Sequence, residues 1–174
     1  MSGRLSRGRG LVLITALALG MAEAHAQAPE GAITPADRNA VASCLRDSTD
    51  APRACIGTIA VVCFREGGQD RRETEIACSR REARVWRERL DNAARALAER
   101  LDSGTRSKLA ALQRSWEGYT SQKCAFAGEI QPPARAPTTQ AACELRETAL
   151  RSLEVERLGQ RPGPNRPGRP EILR

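Results

Sequence analysis

Residues 72–101 read RETEIACSRREARVWRERLDNAARALAERL. No Gly or Pro interrupts them, and Trp86, Leu90, Ala93, Leu97 and Leu101 recur at spacings of 4, 3, 4 and 4. That is the period of one helical face. Charged residues fill much of the opposite face, so the stretch predicts a single long amphipathic helix, preceded by Gly67-Gly68 and ended by Asp102-Ser103-Gly104. Such a helix must bury its stripe against other elements, and the flanking sequence is also helical in pattern.

Upstream, Thr34-Pro35-Ala36-Asp37 combines an N-cap residue, a proline at the first helical position and an acid three residues after the cap. Val41, Cys44 and Leu45 continue that helix as one apolar stripe, until the polar run 47–50 and Pro52 break it. Cys55, Ile56, Ile59, Ala60 and Cys63 predict a second short helix stopped by Gly67-Gly68. Downstream, Leu109, Leu112, Trp116, Tyr119 and Phe126 lie close to one face of a fourth helix, in which Gly118 costs about 1 kcal/mol relative to Ala. A loop with Pro132, Pro133 and Pro137 follows, then a fifth helix over about 139–158 carrying Cys143, Leu150 and Leu153. The expected fold is all-α, a bundle of about five helices built from helical hairpins.

The ends of the chain change how its composition is read. The 174 residues carry a formal charge of +7, with five aromatic side chains. Residues 1–26 have the layout of a cleavable secretory signal: Arg4, Arg7 and Arg9, an apolar run over 11–22, and Ala24-His25-Ala26 before Gln27. The run is too short to span a bilayer comfortably, and no Cys lies at the cut to accept a lipid. Cleavage there removes three Arg and Glu23, leaving +5, and it removes His25, the sole histidine. That closes Ser-His, Cys-His and His-metal chemistry. Residues 159–174 contain seven Gly or Pro and carry +3, the composition of a disordered basic tail. The body 27–158 is then left at only +2.

A nearly neutral body argues against nucleic acid, which requires a basic patch interleaved with aromatics. Trp86, Trp116 and Tyr119 sit on apolar stripes and are read as core. Glu66, Asp70, Glu73 and Glu75 alternate with Arg65, Arg71 and Arg72, which reads as a solvated turn. Arg outnumbers Lys by 26 to 2, a bias of coding composition more than of binding.

All six cysteines, at 44, 55, 63, 78, 124 and 143, survive cleavage, and an even number in a small exported chain points to disulfides. Their separations lack the paired clusters of a zinc site, so neither a metal nor a cofactor is implied. Six cysteines allow fifteen pairings. The helix map favours Cys44 with Cys55, Cys63 with Cys78, and most strongly Cys124 with Cys143, each across a turn, while the first four could also exchange partners.

Two constellations carry a resemblance. Leu109-x-x-Leu112-Gln113-x-x-Trp116-x-x-Tyr119-x-x-x-x-Cys124, then Cys143-x-x-x-x-Thr148-x-x-Arg151, resembles the signature of the lysozyme-inhibitor LprI-like family of exported bacterial helical proteins. Cys55-Ile56-Gly57, Cys63, Cys78, Glu82, Trp86 and Leu90 resemble the N-terminal half of one branch of that family. The resemblance implies a binding protein rather than an enzyme, with lysozyme, or another periplasmic or extracellular protein, as its partner. It also implies a periplasmic or secreted location in a Gram-negative bacterium.

Animal-type lysozymes are strongly basic, so a chain at +5 has no long-range attraction to offer them. The candidate contact surface is the proline loop from 128 to 140, above all Gly128, Glu129, Ile130, Gln131, Pro132, Pro133 and Arg135. A bridge at both ends would lower its entropy cost of binding. An alternative is an envelope-associated interaction protein whose basic tail makes weak contact with anionic surface. A third reading, a carboxylate-pair hydrolase of cell-wall sugar, finds no distinguishable pair among the acids.

Overall fold

The computed structural model describes residues 32–161, so the secretory-signal reading of 1–26 and nearly all of the basic tail lie outside the described residues. Within them the order is α1 (Pro35–Asp47), a 3-10 turn (Pro52–Cys55), α2 (Ala60–Glu66), α3 (Arg71–Ala98), α4 (Ser103–Glu129) and α5 (Ala136–Gln160). No strand occurs among the described residues.

The α1 entry forms as its sequence demands. The Thr34 hydroxyl accepts from the Asp37 N–H at 3.2 Å, and an Asp37 carboxylate oxygen accepts from the Thr34 N–H at 2.8 Å, a complete capping box. The same carboxylate takes two hydrogen bonds from Arg81 on α3, at 2.8 and 3.0 Å. Burial pushes the Asp37 carboxyl up, but the hydrogen bonds from Arg81 and Thr34 outweigh it, and the group titrates below the ordinary carboxylate range.

The second helix is shorter than its stripe predicts. Cys55 ends a 3-10 turn, Gly57 takes φ +104°, and α-helix begins only at Ala60. A left-handed residue at 57 breaks the α progression, and Gly is the residue that tolerates it. Gly67, at φ +86°, ends α2 as expected.

α3 matches the predicted helix to within a few residues, with Asp70 as its cap accepting from the Arg72 and Glu73 N–H groups. Its N-terminal two thirds are the buried part, through Ile76, Cys78, Ser79, Glu82, Val85, Trp86 and Leu90. Ala93 and Leu97, further along the stripe, are only half-buried. The core gathers Val41, Cys55, Ile59, Val85, Trp86, Leu145 and Ala149. It is therefore built from α1, the turn segment, α3 and α5.

α4 supplies nothing to that cluster, which corrects the expectation for its apolar stripe. Leu112, Tyr119 and Phe126 are 61%, 60% and 62% exposed. The residues α4 does bury are Thr120, Cys124 and Gly128, small side chains four apart that let it lie close against α5. A Cβ at Gly128 would stand 3.0 Å from the Ala136 carbonyl oxygen. Close approach, rather than hydropathy, selects the face.

α5 begins at Ala136, before the predicted 139, because Pro137 occupies its first turn, where a missing N–H costs nothing. It ends at Gln160, two residues past the boundary drawn from composition. Disulfides join Cys44 to Cys55, Cys63 to Cys78 and Cys124 to Cys143, with Cα–Cα distances of 5.7, 5.7 and 5.4 Å. All three pairings agree with the helix map. They tie α1 to the 3-10 turn, α2 to α3, and α4 to α5.

Candidate protein-binding surface

The motif residues separate into supports and two exposed members, Leu112 and Tyr119. Glu82 is fully buried, and its carboxylate accepts four hydrogen bonds: from the Gly57 N–H at 2.7 Å, the Ile59 N–H at 2.9 Å, the Ala60 N–H at 2.7 Å and the Trp86 indole N–H at 2.9 Å. α2 lacks a side-chain cap of its own at Ile59, so a carboxylate one helix away satisfies the amides at its start. Trp86 and Leu90 are fully buried beside it. These three residues build the scaffold.

Gln113, Trp116 and Arg151 form the second support. Arg151 on α5 donates to the Gln113 amide oxygen on α4 at 2.7 Å and pairs with Glu154 at 2.9 Å. The half-buried Trp116 ring is approached by two guanidinium groups, Arg87 of α3 at 5.2 Å and Arg151 at 5.9 Å from its centroid, two cation-π contacts. Arg87 also pairs with Glu117 at 2.9 Å, and Lys123 with Glu147 at 2.9 Å. The hydrogen bond that the Lys123 ammonium donates to Glu147 raises its pKa above the usual value. Thr148 is buried on α5, at the floor of an open groove of about 450 Å³ between α3 and α4. Trp116 therefore stands outside the core cluster, contrary to its reading as core, and ties α4 to α3 and α5 through its two cation-π contacts.

Tyr119, like Leu112, is an exception, because packing gives it no role. Its ring faces solvent with the Lys123 ammonium 5.6 Å away. Leu112, Tyr119 and Phe126 are seven apart and share one face, and Ile130, 62% exposed, extends the line past the end of α4. Four large apolar side chains thus stand exposed along one side of α4 and its end, and exposed apolar surface of this kind commonly marks contact sites. Sequence reading placed Leu112, Tyr119 and Phe126 on a core-facing stripe and Ile130 in the contact loop, since periodicity identifies a shared face without saying what lies against it.

The proline segment is tighter than an extended loop from 128 to 140. Gly128 and Glu129 belong to α4, Gln140 belongs to α5, and only residues 130–135 connect them. Ile130 caps α4, and the Pro132 carbonyl accepts from the Arg135 and Ala136 N–H groups at 2.8 and 3.1 Å. Pro132, Pro133 and Arg135 are exposed, Gln131 is half-buried and Gly128 is buried. The exposed part of this turn continues the α4 face at Ile130. Among the described residues no helix is long and apolar enough to cross a membrane, and no three or more His, Cys, Asp or Glu side chains gather as metal ligands would.

The family model described as Lysozyme inhibitor LprI matches residues 66–155. That span takes in α3, α4 and most of α5, with Glu82, the Gln113-Trp116-Arg151 clamp and the Cys124–Cys143 bridge inside it. Cys44, Cys55, Cys63 and the three backbone amides held by Glu82 lie before it. No curated protein and no solved structure matches the chain. Three disulfides are at home in an oxidising compartment, so the protein is extracytoplasmic.

Proposed function

The chain belongs to the lysozyme inhibitor LprI family, an inhibitor family rather than a catalytic one, and we propose that it is an exported protein-binding module that inhibits lysozyme through the outward face of α4. The observation that carries this reading is Tyr119. With Leu112 it is a motif residue that packing does not use, and it stands within the exposed row formed with Leu112, Phe126 and Ile130. The rest of the motif serves to hold that row still. The Cys124–Cys143 bridge, the Arg151–Gln113 bond and the cation-π contacts of Trp116 with Arg87 and Arg151 fix α4 before any partner arrives. A pre-ordered surface loses less entropy on association.

The turn at Gln131, Pro132, Pro133 and Arg135 adds a polar rim to the end of the row, as apolar contact centres generally have. Charge does not drive the encounter here, since a chain with more Arg and Lys than Asp and Glu would meet a basic enzyme through apolar contact at short range. The test is hydrolysis of a cell-wall suspension by lysozyme with and without the oxidised protein. The wild-type chain should slow it in proportion to its concentration. A Leu112→Ser/Tyr119→Ser/Phe126→Ser variant, with unchanged helical circular dichroism, should need at least tenfold more protein for the same effect. Equal potency of the variant, or no inhibition by the wild type, refutes the assignment.

A further inference from the structure

A second groove lies away from α4, between α1 with the 3-10 turn on one side and the C-terminal half of α5 on the other. Its volume is about 710 Å³, and no α4 residue lines it. Its apolar lining includes Leu45, Leu150 and Leu153, each half-buried. Around them stand Arg46, Arg53 and Arg157, from three different elements, all exposed. None of the three forms an ion pair among the described residues, although Arg46 donates to the Ser43 hydroxyl at 2.8 Å.

The groove's own acids are already engaged. Glu154 pairs with Arg151, and Glu156 pairs with Arg89 and accepts from the Ser152 hydroxyl. Arg89 also lines the groove, and its Nε–H is buried without an acceptor. Arg46 and Arg53 both lie within the loop closed by the Cys44–Cys55 bridge, and both line the groove. Three unneutralised cations beside aliphatic side chains form a defined chemical environment.

We propose that this groove binds an acidic peptide segment of a partner protein, with carboxylates paired to Arg46, Arg53 and Arg157 and an aliphatic side chain seated on Leu45, Leu150 and Leu153. Guanidinium groups favour carboxylates through bidentate hydrogen bonds. An inorganic anion would leave the leucines uncovered, and an acyl chain would remain wet on one side because the leucines line an open groove. A peptide with an aliphatic residue between acids matches both parts of the lining. The site is independent of the α4 face and would admit a second partner alongside the first.

Fluorescence anisotropy tests this with a labelled acetyl-Glu-Leu-Asp-Leu-Glu-amide peptide and the oxidised full chain. The acidic peptide should bind at least tenfold more tightly than its Gln-Leu-Asn-Leu-Gln counterpart, with affinity falling as salt rises. Arg53→Ala/Arg157→Ala should weaken binding at least tenfold, and Arg53→Lys/Arg157→Lys should restore part of it. Both side chains are exposed, so these variants should fold, and their inhibition of lysozyme should match the wild type. Equal binding of the amide peptide, unchanged binding by the Ala variant, or no binding at all overturns the proposal. Dodecanoate bound in the groove with the peptide excluded also overturns it, in favour of an anionic amphiphile.

Discussion

Replacing Glu82 by Gln keeps the shape of the side chain and changes one oxygen to an NH2 group, at a position that is 0% exposed. One Glu82 oxygen serves the Gly57 N–H and the Trp86 indole, and the other serves the Ile59 and Ala60 N–H groups. Whichever way the amide turns, two buried donors lose their acceptor and face another donor. A buried donor left unsatisfied costs about 1–3 kcal/mol, and hydrogen bonds to a charged acceptor contribute about 1.5–3 kcal/mol each. The net loss is about 3–5 kcal/mol, a large share of the roughly 5–15 kcal/mol that holds a domain folded. For a domain of this size that lowers Tm by about 10–20 °C. The Cys44–Cys55 and Cys63–Cys78 bridges flank the affected segment, which should confine the damage to fraying around 57–60. Urea denaturation of the oxidised protein measures the loss, and amide exchange should show Gly57, Ile59 and Ala60 losing protection first. A Gln variant within about 1 kcal/mol of wild type would mean that those hydrogen bonds do not hold α2, and the reasoning would fail.

Four further outcomes are expected. Changing Cys124 and Cys143 together to Ser should cost about 3 kcal/mol by loop-closure entropy in the same denaturation experiment, and inhibition should weaken because α4 loses its staple. Gly128→Ala should destabilise by about 1–3 kcal/mol, since its Cβ meets a backbone carbonyl, whereas Gly118→Ala, with nothing within 4 Å, should stabilise by up to about 1 kcal/mol. Asp37 has a folded pKa below its unfolded value, so its contribution is complete above the unfolded pKa of about 3.9 and is lost as pH falls through the folded value. Asp37→Asn should therefore unfold more easily at neutral pH and show a shallower loss of stability below about pH 4. Because both partners are cationic, association with lysozyme should quicken by about two- to fivefold between low and moderate salt in stopped-flow measurements, opposite to a charge-steered pair.

Much of the fold was legible locally. Thr34-Pro35-Ala36-Asp37 specifies a helix start through contacts within one turn, and the capping box forms. The long α3, the stop at Gly67 and the Cys124–Cys143 bridge followed from spacing and turn residues, while the other two bridges were favoured by the helix map with an exchange of partners left open. The break at Gly57 was not legible, since it is stabilised by a carboxylate 25 residues away. The compact turn after Ile130 was also missed. Pro132, Pro133 and Pro137 read as an extended loop, yet Pro137 fits the first turn of α5.

The proposed contact surface turned on the same distinction. Periodicity alone established that Leu112, Tyr119 and Phe126 share a face of α4, while Gln113, Trp116, Thr148 and Arg151 were singled out by the family resemblance. Which α4 face meets the protein was decided only in three dimensions. Thr120, Cys124 and Gly128 are too small to register in a hydropathy pattern, but they permit close packing on α5, and the bridge to Cys143 holds α4 in that rotation. The more apolar face is therefore left outward. A sequence determines which side chains a helix presents together, whereas the shape of the neighbouring helix determines which of those faces can be buried.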